Sequence, residues 1–323
     1  MKKSRGSALP ADFRAALLVG WLVLTAAGLL YAQLKHIPYR AAFPALAGFL
    51  VEYPFYLLPA FADVRKRLAG PYFPSMLVFS MLLPYLVCYA SYGHFAPIAL
   101  LKLAALALIL AFWYRAFPPN LATDLAFLGL LAASLLSPFF ETVYASVFPG
   151  LPIAILGRLT LFHMAALVLI VQRGIPETGY GFIPGVREWR IGALHFLYFL
   201  PLAACLAIPA KMVRLAHPAP AWKTAGIFVA FLWVVALFEE FIFRGTLLGW
   251  LEQQAPGPTA LVLTSVLFGC AHLWFRGFPN WRWALLAAVL GWFCGRARNQ
   301  AGSIRAGVVT HALAVAAWRG FFS

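Results

Sequence analysis

Long apolar runs, separated by short polar stretches, dominate this sequence. A membrane-crossing helix needs about 20 mostly apolar residues, whereas the strands of an outer-membrane barrel alternate apolar and polar positions. The apolar runs here are unbroken, so the pattern predicts an all-α, polytopic transmembrane helical bundle of about ten or eleven spans. The candidate spans lie near residues 15–34, 42–61, 72–92, 95–113, 121–145, 151–171, 191–210, 224–248, 259–275, 283–295 and 304–320.

The amino-acid composition also favours a membrane protein. Hydrophobic residues fill 63% of the 323 positions and charged residues 11%, whereas a soluble domain is about half apolar and about a quarter charged. In a soluble protein the formal net charge of +15 would suggest nucleic-acid binding. In a membrane protein, Lys and Arg flank the spans and meet anionic lipid headgroups. We therefore expect membrane lipids, and no nucleic acid, as partners.

The Lys and Arg residues between the spans predict the orientation of the chain. With the N-terminus in the cytoplasm, the inner connections contain fourteen of these residues and the outer connections eight. This excess predicts a cytoplasmic N-terminus, and we expect an integral protein of the bacterial inner membrane. The first apolar run lacks a small-x-small cleavage site, which favours a retained helix over a signal peptide.

The longest polar connection, residues 172–190, mixes Gly, Pro, charged and aromatic residues. Such a segment is expected to lie along the membrane surface. We place a boundary here between an N-terminal six-span region of unknown role, residues 1–173, and a C-terminal region, residues 174–323.

Charged side chains inside spans are the first candidates for function, because each costs at least about 2.5–3.5 kcal/mol near the centre of a membrane helix. Asp124 and Glu141 lie near span ends, where an interfacial carboxylate is expected. Glu52 lies near the middle of its span and could form a substrate or proton site or bond to a neighbouring helix. Arg158 is a candidate partner for an acid. The histidines expected to be structural are His94, His163 and His195.

A pair of glutamates and an arginine share one predicted span of the C-terminal region. Consecutive helical residues point about 100° apart, so Glu239 and Glu240 face different neighbours. Glu240 and Arg244 are four residues apart and can form a charge-assisted pair. Glu239 then faces elsewhere, and a carboxylate in an apolar cavity beside a like charge is suited to acid–base catalysis. A structural ion-pair network is the alternative interpretation of these three residues.

Two histidines lie in later spans of the same region. At about 1.5 Å per residue, Glu239 and His272 reach a similar depth in successive antiparallel helices. His311 lies about 10 Å from Arg305 along its own helix and can face the same cavity. The four cysteines form no CxxC pair, so we expect neither a disulfide framework nor a cysteine zinc site.

The spacing of these residues resembles the motifs of the CPBP family, also called ABI, which comprises CAAX proteases and bacteriocin-processing proteins. Members of this family are glutamic-type intramembrane proteases. The EExxxR motif is matched by Glu239, Glu240 and Arg244, and the FxxxH motif by Phe268 and His272. The resemblance covers about residues 176–323 and does not extend to the first six spans.

A third family motif is matched only in part. It is a histidine followed four residues later by asparagine, and His311 here is followed by Val315. Valine has no side-chain donor, so backbone amides or Thr310 are candidate substitutes. One missing oxyanion donor can cost about 2.7–4 kcal/mol of transition-state stabilisation.

The resemblance implies a role for each matched residue. Glu239 would be the general base that activates water, and His272 would hold or polarise that water. Glu240 and Arg244 would fix the helix and tune the site, while His311 would help to stabilise the oxyanion. Phe268 is expected to contact substrate.

We therefore expect an intramembrane endopeptidase that needs no cofactor. Its substrate would be a membrane-associated protein or peptide, such as a prenylated CAAX-like tail, a leader peptide or a C-terminal sorting tail. One alternative is a zinc protease in which two histidines and a glutamate hold the metal, although HExxH is absent. The other is a non-catalytic transporter, immunity protein or scaffold that uses the same polar residues.

Overall fold

The computed structural model describes residues 10–93, 96–214 and 217–322, and its secondary structure in these ranges consists of helices without a strand. The all-α prediction is therefore confirmed for the described residues. The helices are α1 (Ala11–Leu34), α2 (Tyr39–Ala60), α3 (Ala62–Leu68), α4 (Phe73–Tyr92), α5 (Pro97–Ala116), α6 (Leu121–Leu136), α7 (Phe139–Val143), α8 (Ala154–Gln172), α9 (Val186–Ala207), α10 (Ala221–Leu251), α11 (Gly257–Ala271), α12 (Trp281–Ala301) and α13 (Ile304–Phe321).

Seven helices of the described chain are long and apolar enough to cross a membrane, namely α1, α2, α4, α5, α8, α9 and α10. Two further apolar helices, α6 and α11, are shorter. The protein is an integral membrane protein, as its composition predicts. The total of ten or eleven spans stays a prediction.

The predicted span 121–145 is divided in the structure into α6 and α7. Ser137 has an extended backbone, with φ −84° and ψ 162°, and Pro138 follows it. Proline disfavours a helical conformation in the residue before it and has no N–H to donate, which explains the break. By contrast, α2 continues through Pro54 and α4 through Pro84.

The structure separates into two compact units that meet between Gly174 and Ile175. In the first unit, α2 packs against α1, α4 and α8, and α4 also packs against α5 and α8. The roles predicted for the two regions stay predictions. Four residues used in the sequence interpretation lie outside the described residues, namely Lys2, Lys3, Arg5 and His94.

A buried polar cluster joins three helices of the first unit. Glu52 Oε1 of α2 lies 2.6 Å from His163 Nδ1 of α8, and His163 Nε2 lies 2.9 Å from Ser80 Oγ of α4. The Ser80 hydroxyl donates to Leu77 O at 2.8 Å, so His163 Nε2–H donates to Ser80. All three side chains are fully buried. Glu52 therefore bonds to a neighbouring helix, one of the two roles that its position in the sequence allows.

Two further acids of the first unit, Asp124 and Glu141, have basic partners. Arg173 Nη2 donates to Asp124 Oδ2 at 2.8 Å, and the Tyr114 hydroxyl donates to Asp124 Oδ1 at 2.8 Å. Asp124 is buried, and its interfacial position stays a prediction. Arg158 pairs with Glu141, so it has the acidic partner that the sequence suggests.

The second unit holds α9 to α13. Helix α12 packs against α9, α11 and α13, and α13 also packs against α9 and α10. Helices α11 and α12 approach closely at Gly269, where a Cβ atom would lie 2.5 Å from Ala284 O. Small residues permit such close backbone approach between membrane helices. This crossing holds the C-terminal end of α11, which precedes His272, against α12.

We expect His163→Leu to destabilise the protein strongly, because it leaves the Glu52 carboxyl group buried without its partner. Leaving a buried polar group without its hydrogen-bond partner costs about 1–3 kcal/mol, whereas replacing both partners by apolar groups can be close to neutral. The double variant Glu52→Leu/His163→Leu should therefore unfold at a higher temperature than His163→Leu alone. Thermal unfolding in detergent, followed by circular dichroism, measures this difference.

Ser91→Ala is the matched control for this experiment. Ser91 is exposed, and its hydroxyl bonds only to Val87 O of its own helix. The melting temperature of the Ser91→Ala variant should equal that of the wild type. A double variant that is less stable than His163→Leu would contradict the prediction.

Candidate active site

The helix that carries the two glutamates is not a uniform α-helix. Within α10, an α-helical segment Ala236–Glu240 lies between two π-helical segments, Phe231–Val235 and Phe241–Leu247. A π-helix has i→i+5 hydrogen bonds, is rare and is frequent at functional sites. The sequence pattern did not predict these segments, because the apolar residues on both sides of the glutamates are compatible with either helix type.

Glu240 and Arg244 form a fully buried ion pair. Arg244 Nη1 donates to Glu240 Oε1 at 3.0 Å, and both side chains are 0% exposed. The four-residue spacing therefore places the two groups together even though a π-helical turn begins between them. This contact leaves Glu239 on a different face of α10, where its side chain is 29% exposed.

His311 of α13 lies beside both glutamates. Its Nδ1 lies 3.0 Å from Glu240 Oε1, the same oxygen that Arg244 contacts. An ionised carboxylate only accepts hydrogen bonds, so Nδ1–H is the donor in this contact. The other ring nitrogen, Nε2, then points toward Glu239 and lies 3.8 Å from its Oε2. Glu240 thus fixes the orientation of the His311 ring.

His272 lies one residue beyond the end of α11, because the helix ends at Ala271 and not at residue 275, where the predicted span 259–275 ends. It is the C-cap residue, with φ −96° and ψ 4°, and its Nδ1 lies 2.8 Å from Phe268 O. A carbonyl oxygen can only accept, so Nδ1–H donates to one of the carbonyls that a helix end leaves without a partner. The four-residue spacing of Phe268 and His272 therefore allows the hydrogen bond between the histidine ring and the Phe268 carbonyl. It leaves Nε2 of His272 available for another contact.

The ring of Phe268 packs among the charged groups of the site. Its centroid lies 4.6 Å from that of His272 and 5.7 Å from that of His311. The Arg244 guanidinium carbon lies 4.3 Å from the same centroid, a cation–π distance. Phe268 is fully buried, and its contact with substrate stays a prediction.

A glycine on α12 leaves space for the guanidinium group. A Cβ atom on Gly291 would lie 2.7 Å from Arg244 Nη2 and 3.2 Å from Phe268 Cδ1. Any larger residue at this position would push against both groups. The sequence gives no signal for this requirement, because glycine is common in membrane helices.

A cavity of about 300 Å³ in the second unit brings three of the predicted residues together. Glu239, His272 and His311 line it, and most of the remaining lining is apolar. Phe268 also borders this cavity, whereas Glu240 and Arg244 do not. The predicted site residues therefore form two groups. One group lines the cavity, namely Glu239, Phe268, His272 and His311, and the other, Glu240 and Arg244, lies behind it.

Val315, at the position where the family motif has asparagine, also lines the cavity. Thr310 does not replace the missing donor, because its hydroxyl points away and bonds to Gly192 O at 2.9 Å and Ala306 O at 3.1 Å. Both acceptors are carbonyl oxygens, so the single hydroxyl proton is already engaged. The suggestion that Thr310 substitutes for asparagine is wrong for this reason.

One group of side chains in the described structure has the spacing of a metal site. Ligand atoms of Glu240, Cys294 and His311 lie within 4.8 Å of one another, and all three residues are buried. The Arg244 guanidinium contacts the Glu240 carboxylate directly, and its positive charge opposes a metal ion there. This group also differs from the set of two histidines and a glutamate that the sequence suggested.

Residues 221–317 match the family model described as type II CAAX prenyl endopeptidase, Rce1-like. These residues are Rce1-like. The match confirms the resemblance to CAAX proteases, which are peptide hydrolases. The matched segment contains every predicted site residue, namely Glu239, Glu240, Arg244, Phe268, His272 and His311. Comparisons with curated proteins and with solved structures gave no significant match.

We expect Gly291→Ala to destabilise the Rce1-like region, because the added methyl group would displace the buried guanidinium of Arg244. Overpacking of this kind costs about 1–3 kcal/mol. Thermal unfolding in detergent measures the loss.

Gly249→Ala is the matched control, since a Cβ at Gly249 meets no heavy atom within 4 Å. Alanine is more favourable than glycine inside a helix by about 0.5–1 kcal/mol, so this variant should be at least as stable as the wild type. Equal melting temperatures for the two alanine variants would argue against the tight fit at Gly291.

Proposed function

We propose that this protein is a glutamic-type intramembrane endopeptidase that hydrolyses a peptide bond in a membrane-associated substrate. The observation that supports it most is the convergence of Glu239, His272 and His311 on one apolar cavity. Three groups that can move or donate protons, placed in one cavity of a membrane helix bundle, suit acid–base chemistry better than structural pairing. The match to a family of peptide hydrolases points to the same reaction.

The charges of the site favour the imidazolium form of His311, in which both ring nitrogens carry a proton. Glu239 and Glu240 carry two negative charges, and Arg244 supplies one positive charge. A net charge is costly in an apolar environment. A protonated His311 brings the sum to zero, and its two N–H groups then face one carboxylate each. In this state Nε2–H is a donor at the edge of the cavity.

The hydrolysis can be written with these groups alone. Glu239 accepts a proton from a water molecule, whose oxygen attacks the carbonyl carbon of the substrate. His272 Nε2 accepts the second hydrogen of that water in a hydrogen bond and so orients it. His311 Nε2–H donates to the oxygen of the tetrahedral intermediate. Glu239 then returns its proton to the leaving amine as the C–N bond breaks.

The residues behind the cavity act through the histidines. Glu240 orients His311, and Arg244 balances the charge of Glu240. Phe268 contacts both histidine rings and the guanidinium. We assign these three residues positioning roles, with substrate contact at the side of Phe268 that borders the cavity.

The proposed substrates are those with a peptide segment next to an apolar anchor. These are a prenylated CAAX-like tail, a leader peptide and a C-terminal sorting tail. The apolar lining of the cavity supports a substrate that reaches it from the lipid phase. We also propose that the protein lies in a bacterial inner membrane with ten or eleven spans and a cytoplasmic N-terminus.

We expect Glu239→Gln and His272→Ala to lower cleavage of a tail peptide in reconstituted vesicles by a hundredfold or more. A general base contributes about 10²–10⁴ in rate, and glutamine cannot accept the proton from water. Cys270→Ala is the matched control, because Cys270 is exposed on the same helix as Phe268 and does not line the cavity. Cleavage is measured by mass spectrometry of the products.

Wild-type rates in both variants would contradict the proposal. If the Glu239→Gln protein also kept its full role in cells, a non-catalytic function would take its place. A rate that a chelator abolishes and only zinc restores would favour a metalloprotease instead.

We expect Val315→Asn to raise kcat/KM about tenfold or more. Val315 lines the cavity one helical turn beyond His311, so an amide there can add an oxyanion donor, which can contribute about 2.7–4 kcal/mol. Val315→Leu is the control for a change of volume alone and should not gain activity. An unchanged rate in Val315→Asn would show that another donor already contacts the oxyanion.

A further inference from the structure

Part of the longest polar connection of the chain packs against the helices of the second unit. We name its residues 178–182 the strap. Thr178 O accepts a hydrogen bond from Ile304 N at 2.9 Å, in the first turn of α13. Gly179 has φ +73°, and a Cβ atom there would lie 2.3 Å from Ser303 Oγ. Only glycine fits this conformation and this contact. The strap is therefore fixed closely to the beginning of α13.

The strap also contacts both π-helical segments of α10. In the first segment, the indole N–H of Trp233 donates to Phe182 O at 2.9 Å. In the second segment, the ring of Phe241 meets the ring of Tyr180 with a centroid separation of 5.1 Å and an interplanar angle of 87°. Tyr180 is buried. The strap thus contacts α10 on both sides of the α-helical segment Ala236–Glu240, which carries the two glutamates.

The strap and the cavity lie on different faces of α10. Phe231, Val235 and Glu239 line the cavity at intervals of four residues. Trp233 and the residues of the strap do not line it. A substrate in the cavity therefore does not meet the strap, and an influence of the strap on the reaction has to act through α10.

The π-helical segments determine the direction in which Glu239 points. A π-helix has i→i+5 hydrogen bonds, so each turn holds about one residue more than a turn of α-helix. One residue corresponds to about 100° of rotation. Glu239 lies between two such segments. A return of either segment to α-helical bonding would therefore rotate Glu239 relative to the part of α10 beyond that segment.

We propose that the strap is a positioning element, in which Tyr180 and Trp233 hold the π-helical segments and so keep Glu239 directed into the cavity. The inference rests on the proposed function, in which Glu239 is the general base. Glu239 Oε2 is buried and has no hydrogen-bond partner among the described residues. The backbone of α10 therefore sets the direction of this carboxylate, and the strap acts on that backbone.

The test measures kcat and KM separately, with full-length protein in phosphatidylcholine vesicles and a lipidated tail peptide. Since misplacing a reacting group by about 1 Å can cost about 10²-fold in rate, we expect Tyr180→Ala to lower kcat by about tenfold or more and to leave KM unchanged. Tyr180→Phe should restore the wild-type kcat, because it keeps the ring that meets Phe241.

Trp233→Phe is a second variant with little risk to folding, because Trp233 is 42% exposed. It removes the N–H donor to Phe182 O and should lower kcat in the same way. The matched controls are Ile183→Ala and Trp222→Phe. Ile183 directly follows the strap and is 79% exposed, and Trp222 is 72% exposed on the same helix as Trp233. Both controls should keep the wild-type kcat.

The direction of position 239 can also be measured without any cleavage. The substitutions Cys205→Ala and Cys270→Ala first remove the two exposed thiols. In this background, Glu239→Cys should be labelled by N-ethylmaleimide through the cavity. Adding Tyr180→Ala should slow the labelling severalfold, whereas adding Tyr180→Phe should leave it unchanged.

The outcomes separate this inference from the proposed function. Wild-type kcat in both Tyr180→Ala and Trp233→Phe would overturn the role of the strap and leave the endopeptidase intact. A lower melting temperature with an unchanged kcat would show that the strap only stabilises the fold, and the inference would be wrong. If the wild type cleaved no peptide, the endopeptidase would fail. The labelling would then decide about the strap, because an unchanged rate in Tyr180→Ala would overturn it and a slower rate would support it.

Discussion

A single carboxylate oxygen, Glu240 Oε1, accepts hydrogen bonds from both Arg244 and His311. The arrangement of Arg244 and His311 depends on this contact. It joins α10 to α13, sets the orientation of the His311 ring and keeps the charge of Arg244 inside an apolar bundle. A buried ion pair is weak evidence for stability, because the cost of desolvation offsets much of the attraction. Its effect here is to hold the histidine in one orientation.

The surroundings of this contact are built to keep it in place. The Phe268 ring lies against Arg244 and both histidines, and Gly291 leaves the space that the guanidinium occupies. The first unit uses a similar arrangement, in which Glu52 and His163 are buried at the centre of three helices. In both units a carboxylate fixes the Nδ1 side of a histidine. Only in the second unit does the other ring nitrogen face a cavity.

The sequence predicts the helices and the main groups of the site, because both depend on local spacing. Apolar length determines a membrane helix, and a separation of four residues brings Glu240 to Arg244. The π-helical segments of α10 and the position of His272 beyond the end of α11 were not predicted. They depend on backbone hydrogen bonds that apolar sequences do not reveal. The partner of Glu52 was not predicted either, because His163 is distant from it in sequence and meets it only in the folded structure.

The apolar lining of the cavity has a consequence for how this protein would meet the membrane-associated substrate proposed above. A substrate that reaches such a cavity is dissolved in the bilayer, so the quantity that governs encounter is its mole fraction among the lipids. The volume of the surrounding water does not affect the rate of encounter. Expansion of the membrane at a fixed amount of substrate dilutes that substrate, whereas dilution of the vesicles in buffer does not. The proposed reaction would therefore proceed in two dimensions, with the area of the membrane as its solvent.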